Sequence, residues 1–186
     1  MKQPTQSKTL SFLKQVVFFG IYSALIIVLK EIMSGLPNIE PVTVLLIPLT
    51  LTFGIKALLP TYVFVVIEIV FYGINLWNIS YLYVWALLVL IVMLLSPIHR
   101  FIDKKCGKKA PLLQTALWSV VAALYGIAFG TLCSVPSFFT LGVGGAISWI
   151  ISGIPFDIAH CIGNVLLTAI AFYPIYKALI WAKKQL

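Results

Sequence analysis

Between Leu112 and Cys133 the chain reads LLQTALWSVVAALYGIAFGTLC, an apolar run without Asp, Glu, Lys, Arg or His. A run of about 20 such residues is long enough to cross the hydrocarbon of a bilayer as a helix. In lipid, every backbone N–H and C=O must be bonded within the protein, which leaves helices or a closed barrel. The apolar residues are continuous rather than alternating, so the pattern favours a membrane-spanning helix.

The rest of the chain has the same character, since 61% of its 186 residues are hydrophobic and only 10% are charged. A soluble globular chain averages nearer half apolar and a quarter charged. The sequence therefore predicts an all-α membrane protein with six transmembrane helices in one compact bundle, a single domain over residues 1–186. The predicted spans are 12–32, 42–53, 58–74, 81–95, 112–133 and 154–178.

The basic residues are distributed unevenly between the two sides of the predicted spans. Twelve of the thirteen Lys and Arg fall on one side of the six predicted spans, and only Lys30 falls on the other. Those on the common side are Lys2, Lys8, Lys14, Lys56, Arg100, Lys104, Lys105, Lys108, Lys109, Lys177, Lys183 and Lys184. Cytoplasmic loops carry the Lys and Arg excess, so both termini are expected to be cytoplasmic. Contact with anionic lipid then accounts for the net charge of +8, and no nucleic-acid partner is expected.

Several functional classes lack their sequence signals. The first fourteen residues are polar and are not expected to be a signal peptide. Cys106, Cys133 and Cys161 form no CxxC or Cys/His cluster, so neither a disulfide framework nor a metal site is predicted. No GxxxxGK[ST], HExxH or GxSxG motif occurs. We therefore expect neither an enzyme nor a cofactor, and no ATPase site in the chain itself.

Polar residues gather at the side that carries few basic residues. Polar groups inside a membrane are costly and often functional, and here the three connections on that side supply carboxylates, amides and aromatic rings. They predict an outward-facing pocket. Its candidate substrate-binding residues are Asn38, Glu40, Glu68, Tyr72, Asn75, Trp77, Tyr81, Trp85, Trp149, Asp157, His160 and Asn164.

The start of the sixth span is the most specific of these segments. Pro155 suits the first turn of a helix, with Ser152 or Gly153 as its cap. Asp157, His160 and Asn164 follow at helical spacing, so all three share one face. Two interpretations stay open: these residues contact a ligand, or Asp157 caps the helix while His160 and Asn164 bond neighbouring helices. The glycine-rich segment before them, 138–151, is interpreted as a re-entrant or capping loop.

Structural alternatives also exist for the other candidates. Pro37 and Pro41 stiffen the first outer loop, in which Asn38 and Glu40 form either a pocket wall or a simple solvated turn. Glu68 is interpreted as the ion-pair partner of Lys30. The aromatic residues Trp77, Tyr81 and Trp85 are typical of an interfacial belt and equally suited to stacking on a flat ligand.

Three segments together resemble a known family. They are the small-residue step Gly20-Ile21-Tyr22-Ser23-Ala24, the segment 36–43 (LPNIEPVT) and the segment 153–164 (GIPFDIAHCIGN). With six spans, the whole chain is similar to the substrate-binding S components of energy-coupling factor (ECF) transporters, closest to the cobalamin-type branch. This resemblance implies high-affinity vitamin binding in a bacterial cell membrane. It also implies two kinds of partner, a transmembrane coupling subunit and two cytoplasmic ATPases.

In that family an AxxxA step in the first span packs on the coupling subunit, and Gly20 and Ala24 are the matching positions here, with Gly in place of the first Ala.

Two other functions remain as alternatives. A stand-alone secondary transporter or channel would need polar residues that continue to the cytoplasmic side. An intramembrane enzyme would use Asp157 and His160 as an acid–base pair. Lys30 is the only basic residue on the outer side, which disfavours a strongly anionic ligand.

Overall fold

The described chain is almost entirely helical. The structure, a computed structural model, describes residues 4–36 and 38–186, with side chains from Thr9 onward. These residues are 91% helix and contain no strand, which confirms the all-α class. Lys2 and Pro37, to which the sequence assigned a topological charge and a stiffened loop, lie outside the described residues, as does the side chain of Lys8.

Six α-helices and two short 3₁₀ turns make up the part of the chain that the structure describes. They are α1 (Pro4–Ile32), α2 (Val42–Phe53), a 3₁₀ turn (Gly54–Ala57), α3 (Leu58–Tyr72), α4 (Leu76–Lys105), a 3₁₀ turn (Gly107–Lys109), α5 (Ala110–Cys133) and α6 (Val135–Lys183).

Five stretches of the described chain are long and apolar enough to cross a membrane. They are Thr9–Ile32, Val42–Tyr72, Leu76–Lys105, Gly107–Cys133 and Val135–Lys183. Large apolar side chains cover their outer surface, and Leu94, Ile170 and Phe139 are each more than three-quarters exposed. Such a surface is stable in lipid and unfavourable in water, because water penalises exposed apolar area. The fold is therefore compatible with a membrane-embedded bundle.

The stretch Val42–Tyr72 contains a reversal of chain direction. The Tyr22 hydroxyl donates to the carbonyl of Leu45 over 2.8 Å, and the ring centroids of Phe18 and Phe53 lie 5.1 Å apart. These two contacts show that α2 runs antiparallel to α1. Further on, Lys56 donates to Gln15 and Lys30 pairs with Glu68, so α3 runs parallel to α1. The chain turns at Gly54, whose φ of 61° lies in the left-handed region that glycine adopts without strain.

The short helix α2 lies at the centre of the bundle. Every residue from Val42 to Thr50 is buried, and α2 packs against α1, α4 and α6. With 12 residues it spans about 18 Å, well short of the roughly 30 Å of bilayer hydrocarbon. Two of its polar side chains find partners within the helix, since the hydroxyls of Thr50 and Thr52 donate to carbonyls one turn earlier. Such local bonding allows the segment to lie in an apolar centre.

Helices α5 and α6 share the most extensive interface among the described helices, and they run antiparallel. Asn164 Nδ2 of α6 donates to the carbonyl of Ala122 of α5 over 3.0 Å. One turn further along, a Cβ at Gly126 would lie only 2.9 Å from the backbone nitrogen of Cys161. The absence of a side chain at Gly126 is thus what allows the two backbones to approach.

The segment 138–151 is helical, which corrects its interpretation as a loop. Helix α6 consists of two helical segments that meet at a kink at Gly142, where φ is 70° and ψ is −173°. Pro155 therefore lies inside a helix rather than in a first turn, and neither Ser152 nor Gly153 caps one. Each glycine costs a helix about 1 kcal/mol relative to Ala. That cost is smaller than the cost of leaving backbone groups unbonded in an apolar environment.

Candidate functional site

A cavity of about 600 Å³ lies at one end of the bundle, where α1 and α5 end and where α2 and α4 begin. We call this the cavity end. Most of the described basic side chains belong to segments at the opposite end: Lys56 lies in the turn between α2 and α3, and Lys104 and Lys105 lie in the last turn of α4. The cavity is thus separated from the main concentration of positive charge.

Eight of the twelve candidate substrate-binding residues line this cavity. They come from the loop before α2, the end of α3, the first turns of α4, and α6, and they are Asn38, Glu40, Tyr72, Trp77, Tyr81, Trp149, Asp157 and His160. Residues that are distant in sequence therefore meet in one place, as their shared position at the ends of the spans predicted.

The other four candidates have structural contacts elsewhere. The fully buried Glu68 pairs with Lys30 over 2.8 Å, which confirms the predicted ion pair. Asn75 caps α4, its Oδ1 accepting from the backbone N–H of Asn78. Trp85 is only 1% exposed and belongs to the core, and Asn164 bonds α5. For Asn164, the alternative in which it bonds a neighbouring helix is the one that the structure shows.

Glu40 connects the loop before α2 to α6. Its carboxylate accepts hydrogen bonds from the backbone N–H of Val42 and from Thr43 Oγ1, the latter over 2.8 Å. These contacts place a negative charge at the N-terminus of α2, where the unpaired N–H groups of the first turn favour it. On its other side, Glu40 Oε1 lies 3.0 Å from His160 Nε2. The loop before α2 is therefore a bonded wall of the cavity rather than a solvated turn.

Asp157 bonds a different helix from its own. Its Oδ1 accepts from the backbone N–H of Gly130 in α5 over 2.8 Å. The interpretation of Asp157 as the cap of the sixth helix is therefore wrong, because the helix starts more than a turn earlier. A Cβ at Gly130 would collide with the Asp157 carboxylate, so glycine at that position makes room for it. Asp157 is 94% buried and lines the cavity.

Lys30 belongs to a group of contacts that we call the Lys30 cluster: Lys30, Glu31, Glu68, Tyr72 and Trp77. The Nζ lies 2.8 Å from Glu68 and 3.0 Å from Glu31, and it sits 4.3 Å from the centre of the Tyr72 ring. Tyr72 donates to Glu31 over 2.6 Å. The positive charge of Lys30 is thus matched by two carboxylates and an aromatic face of the protein itself.

Aromatic rings continue from this cluster into the cavity. Trp77 and Tyr81 lie 5.2 Å apart, and Tyr81 and Phe129 lie 6.2 Å apart, both in edge-to-face contact. Phe129 ends the row against the imidazole of His160 at 4.6 Å. Edge-to-face pairs are a favourable ring geometry that fixes each ring by its neighbour. The result is an ordered apolar wall that faces the acidic groups of the cavity.

Other lining residues were not among the sequence candidates. Phe129, Gly130 and Cys133 come from the last turns of α5, and Gly153 and Phe156 come from the interior of α6. A Phe or a Gly in an apolar span carries no sequence signal that separates cavity lining from helix packing. The sequence could have identified Phe129 and Gly130 as cavity residues only through their position near the end of a span.

The composition of the cavity lining can be compared with that of known kinds of site. Among the residues that the structure describes, no group of three His, Cys, Asp or Glu could hold a metal ion. Its lining combines aromatic and apolar surface with a few fixed polar groups, which is the usual pattern of small-molecule sites. Comparisons of the chain with protein-family models, with curated proteins and with solved structures found no match.

Proposed function

We propose that this protein is a membrane-embedded substrate-binding subunit, an S component of an ECF-type importer, which captures a vitamin or related micronutrient. The observation that carries the proposal is the cavity of about 600 Å³ at one end of the bundle, with aromatic walls and fixed polar groups. A volume of this size falls within the roughly 300–1,000 Å³ typical of small-molecule sites.

The proposed topology has six crossings with both termini in the cytoplasm of a bacterium. The opposite directions of α2 and α3 support it, because two short helices joined by a reversal return the chain to the side where it started. The basic residues support the orientation. Lys56, Lys104 and Lys105 belong to the end opposite the cavity, and Lys-rich ends face the cytoplasm. The cavity end then opens to the outside.

The ligand is proposed to be a vitamin of one or a few rings. The resemblance of the sequence favours the cobalamin-type branch, whereas the cavity volume favours a molecule smaller than a corrinoid. A panel of vitamins that includes cobalamin distinguishes the two.

Transport is proposed to require a transmembrane coupling subunit and two cytoplasmic ATPases. The exposed face of α1 is the proposed surface for the coupling subunit. Gly20 and Ala24 lie on that face, and no side chain or neighbouring helix that the structure describes comes within 4 Å of a Cβ built at Gly20. Small residues on an uncovered helix face allow a partner helix to approach closely.

Co-purification and uptake together test this proposal. The tagged chain, isolated in mild detergent from the membranes of its native host, is expected to bring a coupling subunit and two ATPases with it. Liposomes that hold the chain alone are expected to bind a vitamin without accumulating it, with or without ATP inside. Accumulation by the chain alone would support a stand-alone transporter and overturn the proposal.

A further inference from the structure

The polar side chains of the cavity differ in how much charge and hydrogen-bonding capacity they leave free for a ligand. Among the described lining residues, Lys30 is the only Lys or Arg, and the carboxylates of Glu31 and Glu68 already pair with it. Its charge is thus balanced within the protein. A carboxylate or phosphate on a ligand would have to displace one of these partners, and Glu68 is fully buried behind it.

Asp157 and His160 of α6 have hydrogen-bonding capacity that the protein itself leaves free. Glu40 is held by the start of α2 and by His160, whereas among the described residues Asp157 accepts one hydrogen bond, at Oδ1 from the N–H of Gly130. His160 is 1% exposed, and among the described residues its Nδ1 has no hydrogen-bond partner. A buried polar atom without a partner costs about 1–3 kcal/mol. A ligand that donates to it recovers that cost.

The remaining lining is flat and aromatic. Trp77, Tyr81 and Phe129 form the ordered row of rings, and Trp149 and Phe156 of α6 also line the cavity. Aromatic walls bind planar rings by stacking, and they add an attraction for positive charge through their negative faces.

We infer that the cavity takes a planar nitrogen heterocycle that carries a positive charge or N–H donors at one edge, with Asp157 as its main polar partner and His160 beside it. The inference rests on the proposed function only in treating this cavity as the substrate site. Ring faces meet the aromatic row, and the donor edge meets the acceptors of α6. The Lys30 cluster stabilises the cavity end without taking part in ligand charge recognition.

Pairs of heterocycles with the same ring and different charge test this inference. The probes are pyridoxamine against 4-pyridoxate, nicotinamide against nicotinate, and thiamine against thiamine diphosphate. Biotin and pantothenate, which are not planar aromatic rings, complete the panel. Binding to the purified full chain is followed by quenching of tryptophan fluorescence, since Trp77 and Trp149 line the cavity, and is checked by calorimetry.

At least one pair is expected to bind, and within it the cationic or donor-bearing member is expected to bind about tenfold more tightly or better, as one charge-assisted hydrogen bond allows. Asp157→Asn keeps an acceptor for the Gly130 N–H and is expected to remove most of that preference. The control Asp103→Asn changes a carboxylate outside the cavity lining and is expected to leave the preference unchanged.

Four results would overturn the inference. They are tighter binding of the anionic member of a pair, an unchanged preference in Asp157→Asn, binding within the panel by biotin or pantothenate only, and a panel in which nothing binds. None of these results bears on partner capture, so the proposed transport role fails only in the co-purification and uptake experiments. Conversely, if the chain captured no partners but bound a heterocycle as expected, the inferred ligand class would still hold.

Discussion

His160 Nε2 lies 3.0 Å from Glu40 Oε1, although 120 residues separate the two in the chain. The contact joins the loop before the central helix α2 to the middle of α6. Because Glu40 also binds the first turn of α2, one carboxylate holds a loop, a helix start and a cavity residue together. The stability of the bundle and the shape of the cavity are therefore coupled at this point.

Replacing Glu40 tests that coupling. Glu40→Ala leaves the Thr43 hydroxyl, the first N–H groups of α2 and His160 without their acceptor, and we expect a loss of about 1–3 kcal/mol in the free energy of unfolding. Glu40→Gln keeps an acceptor oxygen and should lose less. Thermal unfolding in detergent, followed by circular dichroism, measures both. Equal melting temperatures for wild type and Glu40→Ala would show that the contact contributes nothing.

The buried pair of Lys30 and Glu68 gives a second prediction. Lys30→Met removes the partner of a fully buried carboxylate, and such a loss typically costs about 3 kcal/mol or more. The double variant Lys30→Met/Glu68→Leu removes both charges and is expected to regain much of that stability. A double-mutant cycle of unfolding free energies gives the coupling. Additive effects of the two substitutions would mean that the two charges act independently.

Glycine positions in α5 and α6 offer a matched comparison. Gly126→Ala places a Cβ 2.9 Å from the Cys161 backbone nitrogen, so α5 and α6 must move apart, at a cost of about 1–3 kcal/mol. Gly144→Ala meets nothing within 4 Å and should be neutral or slightly stabilising, because Ala favours a helix. Melting temperatures that fall together, or not at all, would contradict the close approach at Gly126.

The uncovered step on α1 predicts an assembly defect without a folding defect. We expect Gly20→Leu and Ala24→Leu to lower recovery of the coupling subunit and ATP-dependent uptake, because bulk at a small-residue surface separates helices that must touch. Both positions are exposed, so thermal stability and ligand affinity should stay at the wild-type level. Ile21→Ala, on the same exposed face, serves as the size-reducing control. Full recovery of the complex with both Leu variants would place the coupling surface elsewhere.

His160 supplies a prediction on affinity. His160→Ala removes a cavity acceptor and the partner of Glu40, and we expect ligand affinity to fall about ten- to a hundredfold, as expected for a lost polar contact in a shielded site. His160→Gln keeps a side chain that can bond Glu40 and should retain more of the stability than of the affinity. Titration of the best-binding probe, paired with melting curves, separates the two effects. Unchanged affinity in both variants would remove His160 from the binding site.

Much of the fold could be predicted because its signals are local. The apolar segment from Leu112 to Cys133 predicted a helix with no help from the rest of the chain, and α5 ends at Cys133. The helical period placed Asp157 and His160 on one face, and both line the cavity. For 138–151 the glycine signal was right only at Gly142, where the helix breaks. The residues on both sides of that break are helical, because apolar surroundings favour backbone groups that are bonded within a helix.

The partners of the cavity residues depended on packing that no local pattern encodes. Composition and period require an apolar helix to be buried or in lipid, but they do not say which helix lies beside it. Only the tertiary structure places Gly130 against Asp157 and Glu40 against His160, and it adds Glu31 to the predicted pair of Lys30 and Glu68. These contacts arise because the polar groups must find partners in a low-dielectric interior, and the nearest ones are on other helices.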